Sequence, residues 1–499
     1  MTMFLLLSTI LPIILIYLLH KTRKTVKTNL PPGPPPLPLI GNLHQVATAG
    51  DLHVYLWKLS KKHGPIIHMK LGSTPLLVVS SPKLAKQVLK TQDLAFCSRP
   101  NSVWMQKLTY NNSDIIFSPY NDYWRELRKI TTIHLFSLKK VQSFRPVRED
   151  EVSRMITKIS SSNQIVNMKE MTMAFSSSLI CRIAFGKKYD DQRSQMRRFD
   201  QLLGDFLAIS GSFFVSDYFP AFGWVDKLTG LMNKVDTNFK RFDSFYQELI
   251  DEHLDPNRVQ TVDGEDDILD ILIKLKEQHK SSSIDLTWDH IKALLMNIFI
   301  AGTETSASTT VWTMTALIKT PNVMKKLQAE IRNLVGQKGK VDEDDLPKLP
   351  YLKAVINETF RLYPPVPLLV PRETMERCIV DGYEIQPKTM VYVNAWAVAR
   401  DPEYWENPDE FVPERFLKSN IDIKGQDFGL LPFGSGRRMC PGIFMGIANV
   451  ELLTANLLYS FDWELPIGIR AEDVDTDPLP GLAVQKKNAL MLVPKIYGV

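Results

Sequence analysis

The sequence predicts a mainly helical protein with small β-sheets, an α+β fold of one large helical domain with a small β-rich region. Helical periodicity dominates for about three hundred residues from Pro82 onward, and strand-like segments are short and lie towards the two ends of the chain. Hydrophobic residues make up 44% of the 499 residues, which is enough for a large core. No stretch in the middle of the chain has the composition of a linker.

Composition excludes several classes of protein. The net charge of +5 is small for this length, and no basic stripe is interleaved with aromatic residues, so we expect no nucleic-acid partner. The cysteines lie far apart and form no CxxC pair, which disfavours a disulfide framework and a structural zinc site. They are Cys97, Cys181, Cys378 and Cys440. This pattern favours a reducing compartment for the folded domain.

The amino terminus predicts a membrane anchor. The chain is almost wholly apolar from Met3 to Leu19, and a basic cluster from Lys21 to Lys27 follows it. We therefore predict a transmembrane signal anchor over residues 1–20. The alternative is a cleaved signal peptide, but no small-residue cleavage site is evident. A basic and proline-rich hinge is predicted over 21–45, and the catalytic domain over 46–499.

The secondary structure can be predicted in chain order. Leu52 to Leu59 has helical spacing, and this helix should close near Gly64. Apolar runs bounded by turn residues predict a β-hairpin of Ile66–Leu71 with Leu76–Ser80. Further strands are expected at Arg377–Ile385 and Met390–Asn394, and a last hairpin over Gly481–Val493.

Two helices stand out in the second half of the chain. The first should run from Trp288 to Lys319, with Thr287 as its cap and Pro321 just past its end. Its section Ile291–Ile300 is apolar on nearly every face, so it should be central and buried. The second, Leu352–Tyr363, should be stopped by the two prolines that follow it.

The segment FGSGRRMCPG, Phe433 to Gly442, places one thiol in a glycine-rich loop. An apolar run from Ile443 to Leu458 follows and predicts a helix. The positive end of that helix dipole should favour the thiolate form of Cys440, with help from Arg437 and Arg438. A thiolate there is a plausible metal ligand, although these residues alone do not specify the metal.

Two further motifs carry chemistry. AGTETS, Ala301 to Ser306, puts an acid and several hydroxyls into the buried part of the long helix. It predicts a local widening beside a ligand, with Glu304 and Thr305 relaying protons; the alternative is a hydroxyl satisfied within a packed helix. In ETFR, Glu358 and Arg361 share one helix face within ion-pair reach. Arg415 in PERF is a candidate third partner.

These motifs occur in a recognisable order. FxxGxRxCxG, preceded by ETFR and AGTETS and by the proline-rich hinge, resembles the cytochrome P-450 family of haem-thiolate monooxygenases over essentially the whole chain. PPGPPPLPLIGNLHQ, AGTETS and PFGSGRRMCPG are most similar to the plant microsomal group. The resemblance implies the cytochrome P-450 fold and haem b as cofactor.

The resemblance also implies roles for individual residues. Cys440 would be the axial ligand of the haem iron, with Phe433 packed beside the sulfur and with Gly434 and Gly442 in the ligand loop. Glu304 and Thr305 would carry protons to oxygen, and Glu358, Arg361 and Arg415 would form a structural triad. The remaining cofactor contacts would come from Arg438, Trp124, Arg128, Arg99, Arg372 and Ala301.

A pocket and partners follow from the same resemblance. We expect a small hydrophobic or aromatic substrate with O2, electrons from NADPH through NADPH-cytochrome P-450 reductase, and a single-pass location in the endoplasmic reticulum membrane with a cytosolic catalytic domain. Basic residues for the reductase would be Lys129, Lys139 and Arg437. The expected pocket residues are Val103, Phe117, Phe213, Phe214, Asn297, Ala301, Val366, Leu369, Leu482 and Ala483.

Two alternatives remain open from the sequence. A haem-thiolate isomerase, dehydratase or aldoxime-converting enzyme would not insert oxygen, and such relatives typically lack the acid and alcohol pair that Glu304 and Thr305 provide. A membrane-tethered haem carrier would need no proton relay. Dependence of turnover on NADPH and the reductase separates the monooxygenase from both.

Overall fold

The computed structural model describes residues 29–162, 164–188, 193–258, 266–278, 285–417, 419–479, 481 and 483–498. The predicted anchor over residues 1–20, the first part of the hinge and Leu482 lie outside these residues. Within them the chain folds as predicted, into many helices and a few short strands.

The helices follow one another through most of the chain. Short 3-10 turns and two π-helical segments, Gln87–Thr91 and Thr131–Leu135, connect several of them. The α-helices are α1 Leu43–Ala47, α2 Leu52–His63, α3 Pro82–Lys86, α4 Val103–Leu108, α5 Asp122–Ile130, α6 Leu138–Ser143, α7 Arg145–Ser162, α8 Met168–Phe185, α9 Arg193–Ser210, α10 Val215–Tyr218, α11 Trp224–Leu228, α12 Leu231–Leu254, α13 Ile268–Gln278, α14 Trp288–Lys319, α15 Pro321–Val335, α16 Pro350–Leu362, α17 Ala395–Val398 and α18 Ile443–Ser460.

The strands form small sheets. The strands are β1 Ile66–Leu71, β2 Thr74–Val79, β3 Val166–Asn167, β4 Arg372–Glu373, β5 Cys378–Val380, β6 Tyr383–Ile385, β7 Met390–Val393, β8 Phe461–Glu464, β9 Pro478–Leu479, β10 Gln485–Lys486 and β11 Met491–Ile496. Among the described residues, one sheet has the order β1-β2-β7-β4 and another the order β3-β11-β8, while β5 pairs with β6 and β9 with β10.

Helix α14 confirms the prediction made for its bounds and its burial. Thr287 caps it by accepting a hydrogen bond from the amide of His290 at 3.3 Å. Side chains from Ile291 to Phe299 are buried, because α14 packs against α8, α16 and α18. The core therefore surrounds most of this helix.

The other predictions of elements hold, with one exception. The first helix, the first hairpin and the helix after Cys440 are confirmed, and β1 pairs antiparallel with β2 from Ile66–Val79 to Leu71–Thr74. The predicted hairpin over Gly481–Val493 is wrong. β10 pairs with β9, whereas β11 pairs with β3 and β8. Both β10 and β11 therefore form their backbone hydrogen bonds with strands that lie outside Gly481–Val493.

Helix α18 is by itself long and apolar enough to cross a bilayer, by the criteria of length and composition. However, 67% of its residues are buried inside the protein. It packs against α14, α15 and α7, so it is a core helix of the domain. Its position matters because its amino-terminal end carries the cysteine loop.

A buried ion-pair network joins α16 to the turn Pro413–Phe416. The guanidinium of Arg361 donates to both carboxylate oxygens of Glu358, at 2.7 and 2.9 Å, and Arg415 donates to the same carboxylate at 3.1 Å. Arg361 also donates to the carbonyl of Pro408 at 2.6 Å, and the amide of Val412 donates to Glu358 at 2.8 Å. The side chains of Glu358, Arg361 and Arg415 thus hold the loop that contains Pro408 and Val412, which precedes the cysteine segment.

We predict that Glu358→Ala lowers the free energy of unfolding by about 3–5 kcal/mol, because it leaves two arginines without their buried counter-charge. Denaturant unfolding measures the change. The control is Asp381→Asn, which breaks the exposed pair with Lys83 and should cost at most about 1 kcal/mol. Equal losses in the two variants would contradict a structural role for the buried network.

Candidate active site

Cys440 lies in a loop whose backbone is folded back on itself. Its amide donates to the carbonyl of Phe433 at 2.9 Å, and α18 begins three residues later with Gly442 at the cap position. The ring of Phe433 packs edge-on against Phe360 of α16, with 5.2 Å between ring centroids. The thiol is therefore held between the start of α18 and the helix that carries the ion-pair network.

Asp93 fastens this loop to an early part of the chain. Its carboxylate accepts hydrogen bonds from the Arg437 amide at 2.9 Å and from Arg372 at 2.9 Å, and Arg372 also donates to the carbonyl of Ser435 at 2.8 Å. Gly436 has φ of +70°, and a Cβ there would lie 2.2 Å from the carbonyl oxygen of Leu89. Only glycine fits this approach without displacing backbone.

The charge balance at Cys440 differs from the sequence expectation. Burial raises the pKa of the Cys440 thiol, whereas a hydrogen bond from the Gly442 backbone and the positive charge of Arg128 lower it. Arg128 also donates to the carbonyl of Met439. Arg437 forms an ion pair with Asp93 at 3.0 Å. The positive charge that lowers the pKa of the thiol therefore comes from Arg128, and not from Arg437 and Arg438 as predicted. Binding of a metal ion to the sulfur would itself remove the thiol proton.

Four arginines gather beside the cysteine loop. Arg99 donates to the carbonyls of Val370 and Pro371 at 2.7 and 2.6 Å. Arg438 donates to the carbonyl of Cys97 at 2.7 Å and lies 4.0 Å from the ring centroid of Trp124. With Arg128 and Arg372 described above, these side chains bring together the residues that the sequence assigned to the cofactor carboxylates.

These arginines are crowded and short of negative charge. Burial lowers the pKa of each, to about 9 at Arg438, and the neighbouring positive charges lower the pKa of Arg99 and Arg438 further. The acids beside them are Asp93 and Asp114. A ligand that brings two carboxylates would relieve this repulsion. The cluster and the nearby thiol therefore fit haem, which carries two propionates and an iron with an axial site.

Helix α14 presents a small, accessible surface in the middle of its buried length. Ala301 is exposed, although Asn297, Ile298 and Phe299 before it are buried. The Thr305 hydroxyl donates to the carbonyl of Ala301 at 2.7 Å, and the helix is continuous through this segment. The predicted local widening is therefore absent from this helix, and the alternative of a hydroxyl satisfied within the helix describes its geometry.

Glu304 faces strand β10. Gln485 of β10 donates to its carboxylate at 2.7 Å. Burial raises the pKa of Glu304 to about 7, and the hydrogen bond from Gln485 and the charge of Lys169 oppose this only in part. The carboxyl group therefore exchanges its proton near neutral pH, as a proton-transfer group should.

The predicted pocket residues occupy several environments. Phe214 is buried and stacks on Trp104 with 5.4 Å between ring centroids, whereas Phe213 is 54% exposed and stacks on Tyr218. Leu369 has a φ of +53°. Its side chain lies beside Gly434, because a Cβ atom added to that glycine would be 3.8 Å from Cδ1 of Leu369. Of the other predicted residues, Val103 is exposed, Phe117 and Val366 are half-buried, and Asn297 and Ala483 are buried.

The sequence did not identify three residues that organise the site: Asp93, Asp114 and Gln485. Asp93 contacts residues 279 and 344 positions away, and Gln485 contacts a residue 181 positions away, so no local spacing marks them. Asp114 does have a local signal. An aspartate that accepts from the amides two and three residues later forms a turn of a familiar type, and such a turn is readable from the sequence.

A helical domain with one thiol in a clamped loop, a cluster of arginines beside it and a long core helix across from it defines a haem-thiolate protein. A family model described as cytochrome P450 matches residues 31–493. The chain belongs to the cytochrome P450 family, and it is a monooxygenase of plant specialised metabolism. Its fold is that of a zebrafish cytochrome P450 solved with abiraterone, with a TM-score of 0.73 and 25% identity over 90% of this chain and 99% of that one.

Plant relatives are much more similar in sequence. The 6,7,8-trihydroxycoumarin synthase of Pastinaca sativa is 52% identical over 99% of both chains. The 5-OH-xanthotoxin synthase of the same plant is 51% identical over 97% of both. Cytochrome P450 71B37 of Arabidopsis thaliana is 48% identical over 97% of both. The similarity therefore extends over the whole domain.

We predict that Gly436→Ala lowers the free energy of unfolding by at least about 3 kcal/mol, because it adds a backbone clash to the strain of a positive φ. Gly468→Ala is the matched control, since Gly468 also has a positive φ but nothing within 4 Å of its Cβ position. The control should cost about 1–2 kcal/mol. Denaturant unfolding and haem bound per chain are the measurements. Equal effects in both variants would contradict the close approach at Leu89.

We predict that Glu304→Gln stabilises the protein increasingly as pH rises from about 4.5 to 7. The carboxyl pKa is about 7 in the folded chain and 4.5 in the unfolded chain, so wild type loses stability over that interval while the folded state still holds the proton. The difference should level off near 3 kcal/mol, on the order of 1.4 kcal/mol per pH unit.

Unfolding free energies of the two proteins across this pH range test the prediction for Glu304. Glu403→Gln, at an exposed glutamate, controls for the general effect of removing one negative charge. A difference between Glu304→Gln and wild type that does not change with pH would place Glu304 in contact with water.

Proposed function

We propose that this protein binds haem b through Cys440 and uses electrons from NADPH, delivered by NADPH-cytochrome P-450 reductase, to hydroxylate a coumarin-type aromatic compound. The observation that carries the proposal is the combination of one thiol in a clamped loop, four arginines beside it, of which two are buried and two half-buried, and an acid–alcohol pair on α14. An isomerase, dehydratase or haem carrier would not require the acid and alcohol.

Each group has a defined task in this proposal. When bound, the haem supplies oxygen activation, and a thiolate ligand favours cleavage of the O–O bond. Cys440 holds the iron, while Arg99, Arg128, Arg372 and Arg438 hold the two propionates. Asp93 keeps Arg372 and the cysteine loop in register, through hydrogen bonds of 2.9 Å to each.

Protons reach the reaction through α14. Glu304 holds and releases a proton near neutral pH, and Gln485 orients its carboxyl group. Thr305 lies next in sequence with its hydroxyl against the carbonyl of Ala301. In its proposed role this hydroxyl would turn away from the backbone carbonyl and donate a proton at the haem site. Glu304 would then supply a proton to Thr305 through a side-chain rotation or an intervening water.

The substrate class rests on the plant relatives and on the aromatic character of the predicted pocket. Relatives about half identical to this chain are named for trihydroxycoumarin and 5-OH-xanthotoxin as products. Phe117 and Phe214 are aromatic residues of the predicted pocket, and aromatic side chains suit a flat ring system. We therefore propose aromatic hydroxylation of a coumarin or furanocoumarin.

We also propose the endoplasmic reticulum membrane as the location, with residues 1–20 as a single-pass anchor and a cytosolic catalytic domain. Large apolar side chains are exposed on two neighbouring segments: Leu37, Leu39 and Ile40, and Phe222, Trp224 and Leu228. The turn after β1 links these segments. Gly41 bridges to Leu71, and Ser73 donates to the carbonyl of Tyr218 at 2.9 Å. Exposed apolar side chains on two linked segments suit contact with lipid.

The reductase would approach the side of the protein that carries the cysteine loop. Of the three basic residues proposed for this contact, Lys129 lies 3.9 Å from Glu126, and Arg437 is paired with Asp93. Lys139 is exposed on α6. These positive groups complement an acidic partner surface, with strength that falls as salt rises.

We predict that the full chain, reconstituted with the reductase in membranes, adds one oxygen atom to a dihydroxycoumarin or to xanthotoxin only when NADPH is present. Mass spectrometry of the products is the measurement. Cys440→Ser should lose the carbon monoxide difference band characteristic of the family and all turnover. A rearranged product formed from a peroxide without NADPH would favour the isomerase or dehydratase alternative instead.

A further inference from the structure

The loop Ser113–Ser118, which leads into α5, is held mainly by side chains, of which one, Asp114, belongs to the loop and the others to other elements. Its carbonyl groups accept from the cofactor cluster. Ile115 accepts from Trp124 at 2.9 Å, Ile116 from Arg99 at 2.7 Å, and Ser118 from Arg438 at 2.7 Å. No regular secondary structure supports these residues, so the side chains determine where the loop lies.

The amide groups of the same loop point to two buried acceptors. Asn297 of α14 accepts from the amides of Ile115 and Ile116 at 3.0 and 3.3 Å. Asp114 accepts from the amides of Ile116 and Phe117 at 3.0 and 2.9 Å. Three successive amides are therefore satisfied by one carboxylate and one carboxamide.

Both acceptors are deeply buried and far apart in sequence. Asp114 is fully buried and Asn297 is 3% exposed. Asn297 lies one helical turn before Ala301, on the same face of α14. Asn297 therefore connects the loop to the part of α14 that carries the accessible surface. Its hydrogen bonds fix the distance of Ile116 and Phe117 from that surface.

We propose that Asn297 and Asp114 are positioning residues that set the substrate pocket through the loop backbone, by fixing Ile116 and Phe117 above the accessible face of α14. This inference rests on the proposed function, since it names what determines specificity at that site. Asn297 was expected from the sequence to line the pocket, and the structure gives its oxygen a different partner.

Direct recognition of substrate by the Asn297 oxygen is the competing idea. A carbonyl oxygen has two lone pairs, and both are directed to loop amides here. A substrate hydroxyl would have to displace one of these hydrogen bonds and leave a buried amide unsatisfied. The geometry thus favours an indirect role, in which the side chain holds the loop and the loop meets the substrate.

The loop also connects the substrate side to the cofactor side. Arg99 and Arg438, which the proposal assigns to the haem propionates, donate to Ile116 and Ser118 of this loop. A guanidinium has five donor hydrogens, so each can serve a propionate and the loop at once. Binding of haem and ordering of the pocket loop are therefore linked through shared arginines.

The test uses the full-length holoenzyme and follows amide hydrogen exchange in peptides that contain residues 115–117. Asn297→Leu has similar volume but no acceptor, and Asp114→Ala removes the other acceptor. We expect each to speed exchange in these peptides about tenfold, the effect of one lost hydrogen bond. Asp114→Asn keeps an acceptor oxygen and should restore the wild-type rate. Thr313→Val, a buried substitution farther along α14, should leave the rate unchanged.

Two further readouts separate this inference from the proposed function. The carbon monoxide difference band should be intact in every variant, and the dissociation constant for xanthotoxin, from the substrate-induced Soret shift, should rise about tenfold in Asn297→Leu. The proposed substrate class fails if wild type gives no shift, while the exchange data still test the loop.

Three results would overturn the positioning role. Unchanged exchange in Asn297→Leu with weaker xanthotoxin binding would mean that Asn297 contacts the substrate directly. Loss of the carbon monoxide band in Asn297→Leu would mean that the loop holds haem rather than substrate. Exchange in Asp114→Asn as fast as in Asp114→Ala would show that the charge, rather than the acceptor, is what matters.

Discussion

Burying arginines without water costs free energy unless hydrogen bonds and opposite charges satisfy them, and the site of this protein is built around that constraint. Arg99, Arg372 and Arg438 lie together, and most of their donors meet backbone carbonyl groups of surrounding loops. Carbonyls satisfy the donors but not the net charge. The cluster therefore both fastens the loops around the cysteine and retains affinity for a dianionic ligand.

The cysteine loop depends on this cluster as much as on its own sequence. Asp93 is the single carboxylate that joins Arg372 and the loop amide at Arg437. Through Asp93, the turn that contains this residue, strand β4 with Arg372 and the cysteine loop share one buried contact. The triad around Glu358 fixes the preceding loop in the same manner, with a buried carboxylate that accepts from two guanidinium groups. In both places one acid joins segments that are distant in sequence, and the cysteine loop is held by these contacts within the protein.

The sequence predicted what local signals specify. The bounds of α14 follow from its cap at Thr287 and from Pro321, and the Glu358–Arg361 pair follows from helical spacing. The ends of the chain were less predictable. Strand β11 pairs with β3, more than three hundred positions earlier by the residue numbers, and no periodicity encodes such a choice. The roles of Asp93 and Gln485 could not be predicted for the same reason, because their partners lie far away in the sequence.

For Thr305, the sequence predicted the residue but not the geometry of its side chain and helix. The hydroxyl of a threonine in a helix can donate to the carbonyl four residues earlier, and Thr303, Thr305 and Thr309 all do so. At Thr305 that bond holds the hydroxyl against the backbone of a continuous helix. Glu304, one residue away, is buried and accepts a hydrogen bond from Gln485 of β10. The acid and the alcohol thus have different hydrogen-bond partners, so in the proposed function a proton passes between them only after a side-chain rotation or through an intervening water.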